Sequence, residues 1–317
     1  MAASAPDRVP LGLLLVASTA VISGVSTFVN FYGVQGTSSD AFITVRNLLV
    51  AALLVPFALL FRGEVRLRLR RIDWVRLGAI GLVGGAIPFL LFFRGLQAAG
   101  TAGASTASFA YRGLFLVATV LAVLFLKERP SVRALAAAGT ILAGNVLLLS
   151  LTGPIWTDGT ALVLAATVLW AGEYTLSKRV LRDLPPATVA LGRMGFGGAF
   201  LAAYVVASGQ LGAVTGLGGS QFVWLGISAL LLTAFVTTWY AGLRHTPVSV
   251  ATSVLVLGFP ITWILAVVAG RTALDLAQAA GAAAVAFGVV LAIGLAGLRD
   301  TWLYLDRAVR MRLTPEA

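Results

Sequence analysis

Residues 41–61 read AFITVRNLLVAALLVPFALLF, and their only charged side chain is Arg46; residues 188–208 read TVALGRMGFGGAFLAAYVVAS, and their only one is Arg193. An apolar run of about 20 residues crosses the hydrocarbon core of a bilayer at about 1.5 Å per residue, so each stretch reads as a spanning helix with an arginine inside it. The two arginines lie 147 positions apart. The same offset sets Ala52 on Ala199, Phe57 on Tyr204, Gly95 on Gly242, Leu96 on Leu243, Ala104 on Ala251, Ser105 on Thr252 and Thr106 on Ser253. Coincidences among small residues are cheap in membrane sequence. An embedded arginine is expensive in hydrocarbon, and its recurrence at one constant offset marks an internal repeat.

Working outward, the whole chain has the same character. Of its 317 residues 59% are apolar and 11% charged, with a mean hydropathy of +0.96, against about 25% charged residues in a soluble domain. Polar loops, glycines and prolines punctuate ten apolar blocks, near 11–34, 41–61, 75–98, 103–126, 132–151, 159–179, 187–208, 220–243, 248–269 and 275–298. The first follows a ten-residue leader with a single Arg and has no Ala-x-Ala cleavage site at its end, so it is expected to be retained. Counted over alternate loops, eighteen Lys and Arg fall on one side, among them Arg62, Arg66, Arg68, Arg70, Arg71, Arg76, Lys127, Arg129 and Lys178, and one, Arg271, on the other. The poor side comprises Gly36–Asp40, Ala98–Gly103, Thr152–Gly159, Gln210–Ser220 and Gly270–Leu274. This bias predicts both termini in the cytoplasm, and an even span count, because one helix too many would scramble the alternation. It also explains the net charge of +11 as a membrane-surface pattern and excludes a nucleic-acid partner.

Five spans per half is an odd number, so the second half must enter the membrane in the opposite sense. The expected fold is an all-α integral membrane protein of ten transmembrane helices in two inverted five-helix repeats, residues 1–151 and 159–298, with a cytoplasmic tail at 299–317. In that plan the solute site lies near the midplane between halves, and rocking exposes it to each side in turn. The tail, Thr301–Arg312, mixes Trp302, Leu303 and Tyr304 with arginines and suits either an amphipathic helix on anionic lipid or a solvated end.

Over residues 11–298 the chain resembles the EamA-type members of the drug/metabolite transporter superfamily, built of two five-helix repeats. Lys127-Glu128-Arg129-Pro130 resembles the Gly-Glu-Arg segment that ends the repeat's fourth helix; Arg46 occupies the arginine of its second helix; Trp170-Ala171 is similar to the Trp pair of its first; Pro260 resembles the proline of its penultimate helix. The sequence departs at Ser23-Gly24, where the first half lacks that Trp, at Gly270-Arg271, which lacks the Glu, and at Arg112-Gly113, near the usual proline. The resemblance implies secondary-active transport of small metabolites, amino acids among them, across the cell membrane.

Embedded ionisable groups are functional candidates. Arg94, one turn from the outer end of its span, suits interfacial pairing. Arg46 and Arg193 each lie roughly 9 Å inside a span, either clamped to neighbouring carbonyls or lining a solute path. Arg112 is beyond snorkelling reach, and its guanidinium suits a carboxylate or phosphate of the solute, unless it is tied into structural carbonyls. Glu173, the one embedded acid, is expected to pair with Arg193 on an antiparallel neighbouring helix, the alternative being Lys178. Its repeat mate is Ser26, which predicts an ionic inner closure, a polar outer one and a coupling proton carried by Glu173. Asn30, Tyr111, Trp170, Tyr174, Trp239, Tyr240 and Trp263 complete the candidate solute-binding set, each having packing as its alternative. Breaks are expected at Gly84-Gly85-x-x-Pro88 and Gly258-Phe259-Pro260, and close helix packing at Gly192-Gly195-Gly197-Gly198 and Gly281-Gly288-Gly294.

With one His, His245 at a helix end, no Cys and one embedded acid, the sequence offers neither a metal nor a cofactor set and argues against an intramembrane enzyme. A scaffold or sensor without transport is the other rival. The expected partners are a small-molecule solute and the lipid bilayer, with a homodimer left open.

Overall fold

The computed structural model describes residues 8–33, 38–60, 65–66, 68–149, 156–271 and 273–313, without side chains at 8, 31–33, 57–60, 96, 99–109 and 308–313. The connections at Gly36 and Thr152, together with Arg62, lie outside the described residues.

The described residues form helices and the turns between them, with no strand. Its first half contains α1 (Arg8–Gly33), α2 (Ser39–Leu60), α3 (Arg71–Ile80), a π-helical segment (Gly81–Ala86), α4 (Ile87–Arg112), α5 (Leu114–Leu126) and α6 (Val132–Leu149). The second contains α7 (Asp158–Val180), α8 (Pro186–Ala207), the short α9 (Leu211–Thr215), α10 (Gly219–His245), α11 (Val248–Leu255), α12 (Gly258–Val268) and α13 (Leu276–Leu313). Among the described residues nine helical stretches are long and apolar enough to cross a membrane, and the shorter Ala110–Leu126 makes ten.

Packing shows the repeat directly. Helix α1 packs along α10 and α4 along α7, so the first span of each half lies against the third of the other. Likewise α12 lies on α1 as α5 lies on α7, while α2 meets its repeat mate α8, and α6 its mate α13. The largest helix contacts therefore join the two halves. Glycine permits the closest of them: a Cβ on Gly242 would stand 3.1 Å from the Gly12 carbonyl, and one on Gly95 would stand 2.8 Å from that of Gly159. Gly12 and Gly159 are themselves 147 positions apart, so a small-residue contact recurs across the pseudo-twofold axis.

Several boundaries differ from expectation. The predicted outer loop Ala98–Gly103 is helical backbone continuous with α4. Six alanines between 98 and 110 favour helix, and Gly100 stands where the second half has Pro247, which separates α10 from α11. Helix α13 runs beyond the membrane span, but Gly294 breaks it with φ 77° and ψ 156°, a conformation open to glycine alone. The tail after it is helical, with Trp302 71% exposed. In the Gly-rich face of α8, Gly192, Gly197 and Gly198 meet Leu77, Gly85 and Leu48, whereas Gly195 faces open space.

Candidate functional site

The centre of the molecule is organised by a missing hydrogen atom. Pro88 has no N–H to donate to the carbonyl of Gly84, so the third span loosens into the π segment Gly81–Ala86. The freed carbonyls take side-chain donors: Trp170 Nε1 and an Arg193 guanidinium nitrogen each donate to the Gly84 oxygen at 3.0 Å, and Asn47 Nδ2 donates to that of Gly85 at 3.0 Å. Both glycines are required, since a Cβ on Gly84 would fall 2.4 Å from Glu173 Cγ and one on Gly85 would fall 2.6 Å from the Arg193 carbonyl.

Glu173 and Arg193 meet here, fully buried, at 3.9 Å. Glu173 Oε1 accepts from Tyr240 Oη at 2.7 Å and from Ser177 Oγ. The expected pair is therefore present, but for a different reason. Helix α7 packs against α4 and α5, and α8 against α2, α3 and the π segment; the two residues reach each other across the third span rather than along a shared helix interface. Lys178 is occupied elsewhere, donating to the carbonyls of Leu243, Arg244 and Thr246 at the end of α10. Arg46 joins the same region, donating to Asn47 Oδ1 at 3.3 Å and lying 4.9 Å over the Phe89 ring. Three buried charges thus sit around one opened turn, two of them positive.

A second opening lies beside it. Helix α4 stops at Arg112 and α5 restarts after Gly113; in the other half α11 stops at Leu255 and α12 restarts at Gly258. Pro260, in the first turn of α12, has no N–H for the carbonyl of Val256, which explains the second break. The two breaks face each other and, with α1, enclose a cavity lined by Ser23, Tyr111, Arg112, Leu114, Phe115, Thr252, Leu255, Val256 and Phe259. Its volume, about 10 Å³, is room for roughly one water. Arg112 points a cation into this neighbourhood, 4.5 Å over the Phe259 ring, donating to Asn145 Oδ1 at 3.4 Å, with a buried Nε that has no hydrogen-bond partner among the described residues. No described ion pair neutralises it.

This cavity lies where the repeat symmetry fails. At the 147-residue offset Ser23 corresponds to Trp170, Tyr111 to Gly258 and Arg112 to Phe259. Trp170 fills its side, in edge contact with Tyr111 at 5.4 Å, while Ser23 leaves space on the other. Of the sequence-derived candidates, Arg112 and Tyr111 line the cavity and Trp170 backs it. Tyr174 and Trp239 meet at a tilt of 50°, ring centroids 4.5 Å apart, and Tyr240 belongs to the Glu173 network. Asn30 bonds Ser228 and Ser26, and Trp263 bonds Gln278 at 2.9 Å; neither lines the cavity.

An ion pair stands at the end of the spans that the loop charges predict to be outer, where the sequence predicts polar contacts alone. Arg94 is bonded to Asp40 at 2.9 Å and to Tyr204, with Gln210 donating to the same phenol at 3.3 Å. Asp40 opens α2 and counts as a loop residue by hydropathy, which hid it. On the opposite side Glu128 accepts from the Val248 and Ser249 amides and the Ser249 hydroxyl at 2.6–3.2 Å, capping α11 of the other half. The acid missed in the second half is Asp275, at Glu128's offset, which accepts from the Ala277 amide at 2.7 Å.

A family model described as the EamA-like transporter family matches residues 10–150 and, a second time, residues 157–294. No curated protein matches the chain. Among solved structures, one crystal structure superposes with a TM-score of 0.73 over 90% of this chain and 98% of its own, at 22% identity; at that identity the likeness is one of fold.

Proposed function

The chain belongs to the EamA-like transporter family, and on that premise we propose that it carries small anionic or zwitterionic organic metabolites, amino acids among them, across the cell membrane by alternating access. Arg112 carries this reading. A half-buried guanidinium at the meeting of two broken helices, with an aromatic ring and an amide beside it and, among the described residues, no ion pair to a carboxylate, is an unneutralised cation waiting for an anion. Discontinuous helices near the midplane of inverted repeats are the usual setting of a transported solute. The present cavity admits about one water, so it corresponds to a closed form that rocking of the halves must open. Ionic or capped contacts at both rims, Asp40–Arg94 and Glu128–α11, are the natural latches of that motion. Tyr111 and Trp170 form its aromatic wall; Arg46, Arg193 and Glu173 brace the opened turn behind it, and Glu173 is the group to carry a coupling proton. The loop-charge bias supports cytoplasmic termini.

The test is flux in proteoliposomes loaded with candidate metabolites. Arg112→Gln should abolish uptake of carboxylate-bearing solutes, and Arg112→Lys should leave a fraction of it, because lysine supplies charge without the bidentate fork. Uptake of every solute at parental rates by both variants would end the assignment of Arg112.

A further inference from the structure

Where α7 and α10 end at the same face of the membrane, a pocket of about 310 Å³ lies between them, lined by Lys178, Leu181, Arg182, Arg244 and His245. That size falls at the lower end of the roughly 300–1,000 Å³ of small-molecule sites. Basic residues gather at helix C-termini to offset the helix dipole, and Lys178 does so here, its ammonium bonded to three carbonyls of the α10 terminus at 2.6–3.2 Å. With those carbonyls already capped, Arg182 and Arg244 are surplus. Both are exposed, and no ion pair among the described residues involves either. Nearby acids are already engaged. Asp73 is held by Arg70 and Arg76, Asp183 by Arg76 at 3.0 Å, and Glu128 by the start of α11. The result is a concave basic site with an apolar wall at Leu181 and no carboxylate in its lining.

We propose that this pocket binds a phosphate-bearing anion. Two arginine forks converging on one concavity match phosphate oxygens in geometry as well as charge, and basic pockets between transmembrane helices hold the headgroups of anionic lipids. The phosphate comes either from such a headgroup or from a soluble phosphate compound. The site is separate from the Arg112 cavity and does not depend on what that cavity carries.

The purified full-length protein separates the two sources. Native mass spectrometry from mixed micelles counts retained phosphatidylglycerol against phosphatidylcholine; thermal unfolding is followed with inorganic phosphate against chloride at matched ionic strength. Selective retention of phosphatidylglycerol without a phosphate shift identifies the lipid, and a phosphate shift identifies the soluble anion. In either case the Arg182→Gln/Arg244→Gln double variant should weaken binding by about tenfold or more, while Arg182→Lys/Arg244→Lys retains part of it. Both positions are exposed, so the variants should fold. The proposal is overturned if neither probe binds the parent, or if the double glutamine variant binds like the parent.

Discussion

Alanine at two glycines of the same helix, two residues apart, should move stability in opposite directions. A Cβ at position 197 would lie 2.7 Å from Gly85 Cα, 2.8 Å from its carbonyl carbon and 2.9 Å from its oxygen. All three are backbone atoms of the π segment, which cannot swing aside as a side-chain tip would. Overpacking of that kind costs about 1–3 kcal/mol; the better helix propensity of alanine returns up to about 1 kcal/mol, leaving Gly197→Ala destabilised by up to about 2 kcal/mol. Position 195 has nothing within 4 Å of an added Cβ, so Gly195→Ala keeps only the propensity gain, up to about 1 kcal/mol. The propensity gain is common to both, so the two variants should differ by the overpacking cost, about 1–3 kcal/mol, in denaturant unfolding in a single detergent. Because Gly197 sets the approach of α8 to the π segment, its variant should also lose transport. Equal stability of the two, or the reverse order, would refute the close packing of α8 on the opened turn.

Further outcomes follow from individual contacts. Trp170→Phe removes one of the two donors on the Gly84 carbonyl and should cost about 1 kcal/mol in the same unfolding measurement, since Arg193 still satisfies that oxygen. Glu128→Ala strips the start of α11 of a carboxylate that accepts three hydrogen bonds and should cost about 1.5–3 kcal/mol, with Glu128→Gln recovering part; parental stability of the alanine variant would remove Glu128 as the cap. Glu173→Gln should abolish pH-driven accumulation in proteoliposomes and spare solute exchange, whereas unchanged pH dependence would take the proton away from this residue.

What could be read in advance was whatever repeats or is costly in lipid. Arg46 and Arg193 disclosed the duplication because an embedded arginine is rarely accidental, and Pro88 and Pro260 disclosed the loosened third span and the α11–α12 break because a missing N–H has the same consequence anywhere; the α4–α5 break at Gly113 has no proline to announce it. Partnerships across the axis were not legible. Adjacent α7 and α8 suggested a direct pair, but inverted repeats interleave, so Glu173 and Arg193 meet over the third span instead. Hydropathy places Asp40 in a loop, outside the embedded groups, although it ties down Arg94. Ser23, Thr252 and Phe259 carry no charge, and nothing in the sequence marks them as lining residues. Yet the absence of tryptophan at position 23 was visible, and it is the vacancy that makes the cavity one-sided.

The most direct measurement uses the absence of cysteine from the chain. Ser23→Cys, placed in oriented vesicles, is exposed to a membrane-impermeant maleimide from one face and then from the other, with and without a transported solute. Alternating access to the Arg112 cavity predicts labelling from both faces, slowed at each by the solute. Labelling from one face only, indifferent to every solute that crosses the membrane, would contradict it.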